Sequence, residues 1–177
     1  MSEQAARAVL QRFGAFADQF AACFTRRPQR EAASQYIAAL FNDSERKSMQ
    51  AMHGRLSDPI SYGALQHFIT DSPWEAARVW ARLRALVPVR RGILALDDTS
   101  FPKQGKQSVG VKRQYCGAQG KIANCQVAVS TVLLDDGRTW PLSFELYLPN
   151  EWLTDTPRRT KAAFRRRCAF ARSGASA

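Results

Sequence analysis

The sequence predicts an α+β fold, with a helical region over residues 1–90 followed by mainly antiparallel strands over residues 91–158 and a basic tail over 159–177. Three observations carry that expectation. Apolar residues recur at three- and four-residue spacing as far as Pro88. Beyond Pro88 the period changes to short runs rich in β-branched residues. Turn signals, not helix-length segments, separate those runs, so consecutive strands are expected to pair as an antiparallel meander.

The helical elements follow in order. Leu10, Phe13, Ala17, Phe20 and Phe24 form one stripe, predicting a helix from about Ala5 to Phe24. Pro28 suits the first turn of a second helix carrying Tyr36, Ile37, Leu40 and Phe41. In "NDSERKSMQAMHG", Ser44 is the expected N-cap and Gly54 the stop. "DPISYGALQHFIT" predicts a short helix burying Leu65, Phe68 and Ile69, with His67 at its core edge. In "DSPWEAARVWARLRALVP", Ser72 is the expected cap, Pro73 the first helical residue and Glu75 the partner of a capping box. The last two segments also suit a helix-turn-helix with Arg78, Arg82 and Arg84 facing a groove, or equally a plain helical bundle.

The strand region opens with "GILALDD", a continuous apolar run suited to a strand covered on both faces. "SVGVKRQYCG" is expected to pair with it as the next strand. "NCQVAVSTVLL" and "TWPLSFELYL" flank "DDGR", Asp135 to Arg138, a hairpin signal, and Pro141 points to an edge or a bulge.

Composition narrows the class of function. The net charge is +11, distributed as +5 over residues 1–92, zero over 93–154 and +6 over 155–177. Between Phe101 and Ile122 lie Lys103, Lys106, Lys112, Arg113 and Lys121 with no acid. Basic blocks of this kind suit a polyanion, nucleic acid first, and equally a solvated cationic surface. No apolar run approaches the roughly 20 residues of a membrane span. The N-terminus has no signal-peptide core, and Cys23, Cys116, Cys125 and Cys168 form no C-x-x-C pair. Packed thiols in a cytoplasmic, nucleoid-associated protein are therefore expected.

The chemistry-bearing stretch is "GILALDDTSFPKQGKQSVGVKRQYCG", where Asp97 and Asp98 close an apolar run and a lysine-rich loop follows. Strand-terminal carboxylates are hard oxygen donors of the kind magnesium takes, although the same pair also suits a solvated turn. Tyr115, Trp140 and Trp152 suit packing, or stacking on an unpaired base. His53 sits at a helix end, where a C-terminal cap contact is expected.

The stretch "ILALDDTSFPKQGKQSVGVKRQYCGAQGKIANCQVAVS" resembles the start of the catalytic domain of bacterial insertion-sequence transposases of the DDE class, which are DDE superfamily endonucleases. "ERKSMQAMHGRLSD" and "LQHFITDSPWEAARVWARL" are similar to that family's helical region, and "PLSFELYLPNEW" to its next strand. The likeness spans about residues 8 to 160. It implies that the strands at 91–158 are the first strands of a ribonuclease H-like domain and that the protein is a DNA transposase, an endonuclease and strand-transfer enzyme of an insertion sequence. The family's acid–small or acidic–threonine pattern implies Asp97 as first catalytic acid and metal ligand, with Asp98 next, and Thr99 supporting a turn. Mg2+ (or Mn2+) is the implied cofactor. The implied partner is DNA at insertion-sequence ends, met by Lys103, Lys106, Lys112 and Arg113, with Gly105 and Gly110 allowing close turns. A homo-oligomer or full-length transposase is the other partner expected.

Asp135, Asp136, Glu145 and Glu151 are the remaining acids of the strand region, and none matches the family's second or third catalytic position. Together with the Arg-, Ala- and Ser-rich text after Thr160, this leads to the expectation of a C-terminally truncated, out-of-frame copy. Such a copy would be inactive, or would survive as a DNA-binding or transposase-inhibiting fragment. A truncated sheet is expected to leave an unpaired edge and an uncovered apolar face.

Overall fold

Phe24 anchors the helical part of the chain: it is buried, with its ring edge-on to Phe68 at 5.7 Å and to Trp74 at 5.9 Å. The computed structural model describes residues 3–161 and 169–170, and the chain divides into two units, Met1–Arg82 and Leu83–Ala177. The helices are α1 (Glu3–Asp18), α2 (Arg27–Phe41), α3 (Met49–His53), α4 (Tyr62–Thr70) and α5 (Ala76–Leu86), with the division falling inside α5.

Three local expectations are corrected here. The first helix ends at Asp18, and Phe20 and Phe24 belong to a separate 3-10 turn, Ala21–Cys23, and its cap. Leu10 is consequently exposed, while Phe13 meets Phe41 and Phe16 meets Phe20. Ser48, not Ser44, caps α3, its Oγ accepting from Ala51 N, whereas the Ser44 hydroxyl turns back to Asn42. Gly54 ends α3 as expected.

The third correction concerns α5, which begins at Ala76 rather than Pro73. Trp74 decides it. Its ring stacks on Phe68 at 5.4 Å and 14°, and its Nε1 donates to Phe68 O at 2.7 Å. Ser72 Oγ accepts from Gln29 Nε2 of α2 and so is engaged away from the helix start. Stacking and hydrogen-bonding of this half-buried indole outweigh the roughly 1 kcal/mol of a helix cap.

The strands are β1 (Ile93–Pro102), β2 (Lys112–Cys116), β3 (Lys121–Asp135), β4 (Arg138–Tyr147) and β5 (Ala169–Phe170). β3 pairs antiparallel with β1, β2 and β4, and β5 joins β4 in parallel, giving the order β1-β3-β4-β5 with β2 on β3. The α+β class stands, but the partner of β1 is β3, not β2. Cys125 of β3 pairs with Pro102 of β1 and with Lys112 of β2, so β3 lies between the two strands. Nor is β1 covered on both faces. It is an edge strand, with Ile93 71% and Leu96 66% exposed on opposite sides.

The β3–β4 turn follows the sequence: Asp136 and Gly137 have φ of 41° and 76°, the paired positive values of a tight hairpin. The ladder shifts between Thr131 and Val132, opposite Pro141, which has no N–H to offer. Two short helices follow, α6 (Asn150–Thr154) and α7 (Thr156–Lys161). Of the 159–177 tail, residues 159–161 close α7 and 169–170 form β5, and the rest lies outside the described residues.

Gly110 tests the packing of this unit. Its φ is 75°, and a Cβ there would lie 2.9 Å from Tyr147 O. Gly110→Ala is expected to cost about 1–3 kcal/mol in urea denaturation. Gly105→Ala, with nothing within 4 Å, should cost far less. Equal losses would remove the close approach as the reason for glycine at position 110.

Candidate metal and nucleic-acid site

β1 carries the two carboxylates, and its register separates them. Asp97 lies opposite Ser130, which pairs with Phe144; Asp98 lies opposite Val129, which pairs with Glu145. Alternation along a strand sends neighbouring side chains to opposite faces. Asp98 and Glu145 therefore share one face, with Val129 between them, and both line an open cleft of about 740 Å3 with Leu96, Tyr115 and Tyr147. Two strand spacings put their backbones about 10 Å apart. Asp97 faces the other way, and its carbonyl accepts from Ser130 Oγ at 3.4 Å. Both carboxylates are exposed. Thr99 sits within β1 opposite Ala128, so it does not support a turn.

The donor chemistry fits a hard divalent cation as far as it goes. Asp98 and Glu145 offer carboxylate oxygens on an open face, which is what magnesium accepts alongside water and phosphate. Among the described residues no group of three or more acids, histidines or cysteines converges on one point. The other acids are otherwise engaged or placed: Asp136 forms the β3–β4 turn, Asp135 closes β3 opposite Arg138, and Glu151 holds Lys112 at 2.7 Å.

The lysine-rich segment is an ordered loop, because side chains take up its carbonyls. Asn124 Nδ2 donates to Lys103 O and to Gly105 O, each at 2.8 Å. Arg158 Nη2 donates to Lys106 O at 2.9 Å, Gln126 Nε2 to Val109 O at 2.6 Å, and Trp152 Nε1 to Val111 O at 2.8 Å. Lys103 and Lys106 are exposed, as is Arg113 on β2 opposite Asn124. Lys112 differs: the Glu151 carboxylate holds its ammonium group above the usual lysine range, first by hydrogen bond and then by charge. Asn124 and Gln126 alternate in phase with Ser130, so the loop is anchored on the face that Asp97 shares.

Other expected residues resolve as follows. Trp152 is fully buried, with Arg158 stacked 4.1 Å from its ring, so it packs and is closed to a base. Tyr115 is 65% exposed at the cleft, and Trp140 Nε1 is buried without a hydrogen-bond partner. His53 Nε2 contacts Ile60 O at 2.7 Å, and its ring meets Tyr62 edge-on. His67 is exposed beside Asp71 and lies away from the core edge expected for it. Arg78 Nη2 donates to Ala22 O and Arg82 Nε to Gln19 O, tying α5 to the 3-10 turn, and Arg84 Nη1 donates to Leu142 O. Each of these guanidinium groups is engaged with a main-chain carbonyl.

Of the thiols, Cys116 and Cys125 are wholly buried together with Val127. Burial, then the neighbouring Cys116, pushes the Cys125 thiol up. Such a thiol stays protonated at neutral pH and is a poor nucleophile.

Sequence reasoning did not single out Asn124, Gln126 and Arg158. A signal existed for the first two: polar residues alternating with Cys125 and Val127 within an otherwise apolar strand.

A strand-borne carboxylate pair, a long antiparallel hairpin and a basic loop directly after the first strand define a class, and comparison with known proteins agrees. The family model described as DDE superfamily endonuclease matches residues 19–171, and the chain belongs to that family. Its helices-then-sheet order fits part of a ribonuclease H-like domain. The chain is 42% identical over 93 residues to a protein of Microchaete diplosiphon named as the probable transposase for insertion sequence element IS701. That alignment covers 50% of this chain and 24% of the relative, so the chain matches about a quarter of its length. No solved structure matches significantly.

Proposed function

We propose that this chain carries the first metal-binding strand and the DNA-guiding loop of a DDE transposase acting on the ends of an insertion sequence. The observation that carries the reading is the shared row of Asp98, Val129 and Glu145 on the open cleft face. Asp98 is the metal-ligand carboxylate in this reading. The family pattern favours Asp97, but an ion needs more than one oxygen donor, and the second acid lies on the Asp98 side. Mg2+ (or Mn2+), once bound, would activate an attacking oxygen and stabilise the leaving one in phosphodiester cleavage. The chain's own part is to present the carboxylate on a rigid strand and to hold the DNA.

Lys103 lies five residues beyond Asp98 on the same run of chain, about 17 Å along an extended strand, in a loop anchored on the opposite face of the sheet. The loop cations therefore grip flanking phosphates, not the one being cut. They set position without reading bases. Lys112, neutralised by Glu151, contributes less than Lys103, Lys106 and Arg113. A second reading, a fragment that binds DNA or full-length transposase without cutting, draws on the shortage of converging acids among the described residues.

A gel shift on DNA bearing the terminal repeats tests the binding half. Affinity should fall steeply with salt, and Lys103→Gln/Lys106→Gln should reduce the log–log salt slope by about 1.8, at about 0.9 per phosphate contact. An unchanged slope would remove the loop from the interface. Nicking of a supercoiled plasmid carrying those ends, with magnesium and the full chain, separates the cutting reading from the binding-only one.

A further inference from the structure

The end of β2 curls onto the face of the sheet that carries Asp98. A 3-10 turn, Gly117–Gln119, joins β2 to β3, and Gly117 N donates to Ser100 Oγ of β1 at 3.1 Å. Ser100 lies opposite Val127 and Asp98 opposite Val129, so these two side chains stand on one face. From β3, Cys125 Sγ donates to Tyr115 O at 3.8 Å, and this cysteine is wholly buried beside Cys116. Gln114 Nε2 donates in turn to Cys125 O at 3.3 Å. The chain from Gln114 to Gly117 is therefore held by both β1 and β3. What this fixes is the ring of Tyr115, 65% exposed yet lining the same open cleft as Asp98 and Glu145. Tyr147 also lines that cleft, but it is half-buried against the two cysteines. At about 740 Å3 the cleft is of the size that takes small ligands, about 300–1,000 Å3.

We propose that this cleft takes one unpaired nucleotide of a DNA end, with its base stacked on the ring of Tyr115. Every base has a flat π-face, so such a platform tolerates any sequence. The neighbouring carboxylates repel the nucleotide's phosphate until a divalent cation sits between them, whereas an uncharged base meets no such penalty. Stacking thus holds the strand end beside Asp98 by a contact that charge cannot supply there. This rests on the reading of the Asp98 face as the cutting site and adds what keeps the strand end in place.

The test is fluorescence anisotropy of the full chain with two labelled duplexes of the terminal repeat. One ends in a single unpaired adenine, on either strand in turn, and the other carries an abasic residue at that position. Both have the same phosphates, so only the base face differs. On one of the strands the adenine probe should bind about tenfold or more tightly, within the range of base–aromatic stacking. Tyr115→Ala should erase that preference and leave the salt slope unchanged, since no phosphate contact is lost. Tyr115→Phe, which keeps the ring, should retain the preference. Equal binding of the two probes, alongside salt-dependent duplex binding, overturns the stacking site and spares the DNA reading. A preference that survives Tyr115→Ala overturns it as well. If neither probe binds, the DNA reading falls and the stacking site falls with it.

Discussion

Trp152→Ala is expected to destabilise the strand-bearing unit by about 3–5 kcal/mol, the range for deleting a large buried aromatic. Trp152 has no exposed surface and packs with Val111 and Leu148, flanked by Val109, Leu146 and Leu153. Two further roles add to that. Its Nε1 is the hydrogen-bond donor for the Val111 carbonyl, and its ring carries the Arg158 guanidinium. Removing the indole therefore unties α6 and the C-terminal end of the basic loop together. Trp152→Phe keeps most of the apolar contact but leaves the Val111 carbonyl unpaired, for about 1–3 kcal/mol. Hydrogen exchange at Val127 and Ala128 in β3 measures this within the unit, so independent melting of the helical unit does not blur it. Unchanged protection in Trp152→Ala would mean that α6 sits on the sheet without supporting it.

If the chain cuts DNA as proposed, Asp98→Asn is expected to have the largest effect on chemistry, lowering magnesium-dependent nicking by about a thousandfold or more, since metal stabilisation of a developing charge is worth several kcal/mol. The amide keeps the size of the side chain and removes its charge, so packing on the open cleft face is preserved. Asp97→Asn, on the opposite face of β1, is expected to leave the rate within about threefold, an effect below 1 kcal/mol. The two variants differ by one position and by one face of a sheet. Comparing them separates a metal ligand from general loss of negative charge on β1. If Asp97→Asn is the dead variant, the ligand faces the loop side and Glu145 has no part.

Much of this arrangement was legible in the sequence, for identifiable reasons. The shift of period at Pro88, the Asp136–Gly137 turn and the Pro141 irregularity are dictated locally, by φ preferences and a missing N–H. Legibility ended where a distant contact outweighed a local preference. Ser72 and Glu75 spell a capping box, yet the Trp74 ring on Phe68 delays α5 to Ala76. The pairing of β1 with β3 was equally hidden, because the loop between β1 and β2, which sequence reads as a solvated connection, is instead anchored on β3 through Asn124 and Gln126. The apolar run at Ile93–Leu96 reads as buried, yet Ile93, Leu94 and Leu96 are all exposed. A run of apolar residues records what a strand can bury, and covering it takes other elements.

The carboxylate pair shows the same division. Sequence finds two adjacent acids after an apolar run but gives no face to either. The ladder supplies it, through Ser130 for Asp97 and Val129 for Asp98. Sequence gives no face to Glu145 within "TWPLSFELYL" either; two registers in succession put it beside the Asp98 row.

Paramagnetic broadening of amide signals by Mn2+ in the full chain tests the metal assignment most directly. Broadening centred on Asp98, Val129 and Glu145, abolished in Asp98→Asn and retained in Asp97→Asn, is the result expected. Broadening centred on Asp97 and Ser130, or unchanged in Asp98→Asn, would contradict it.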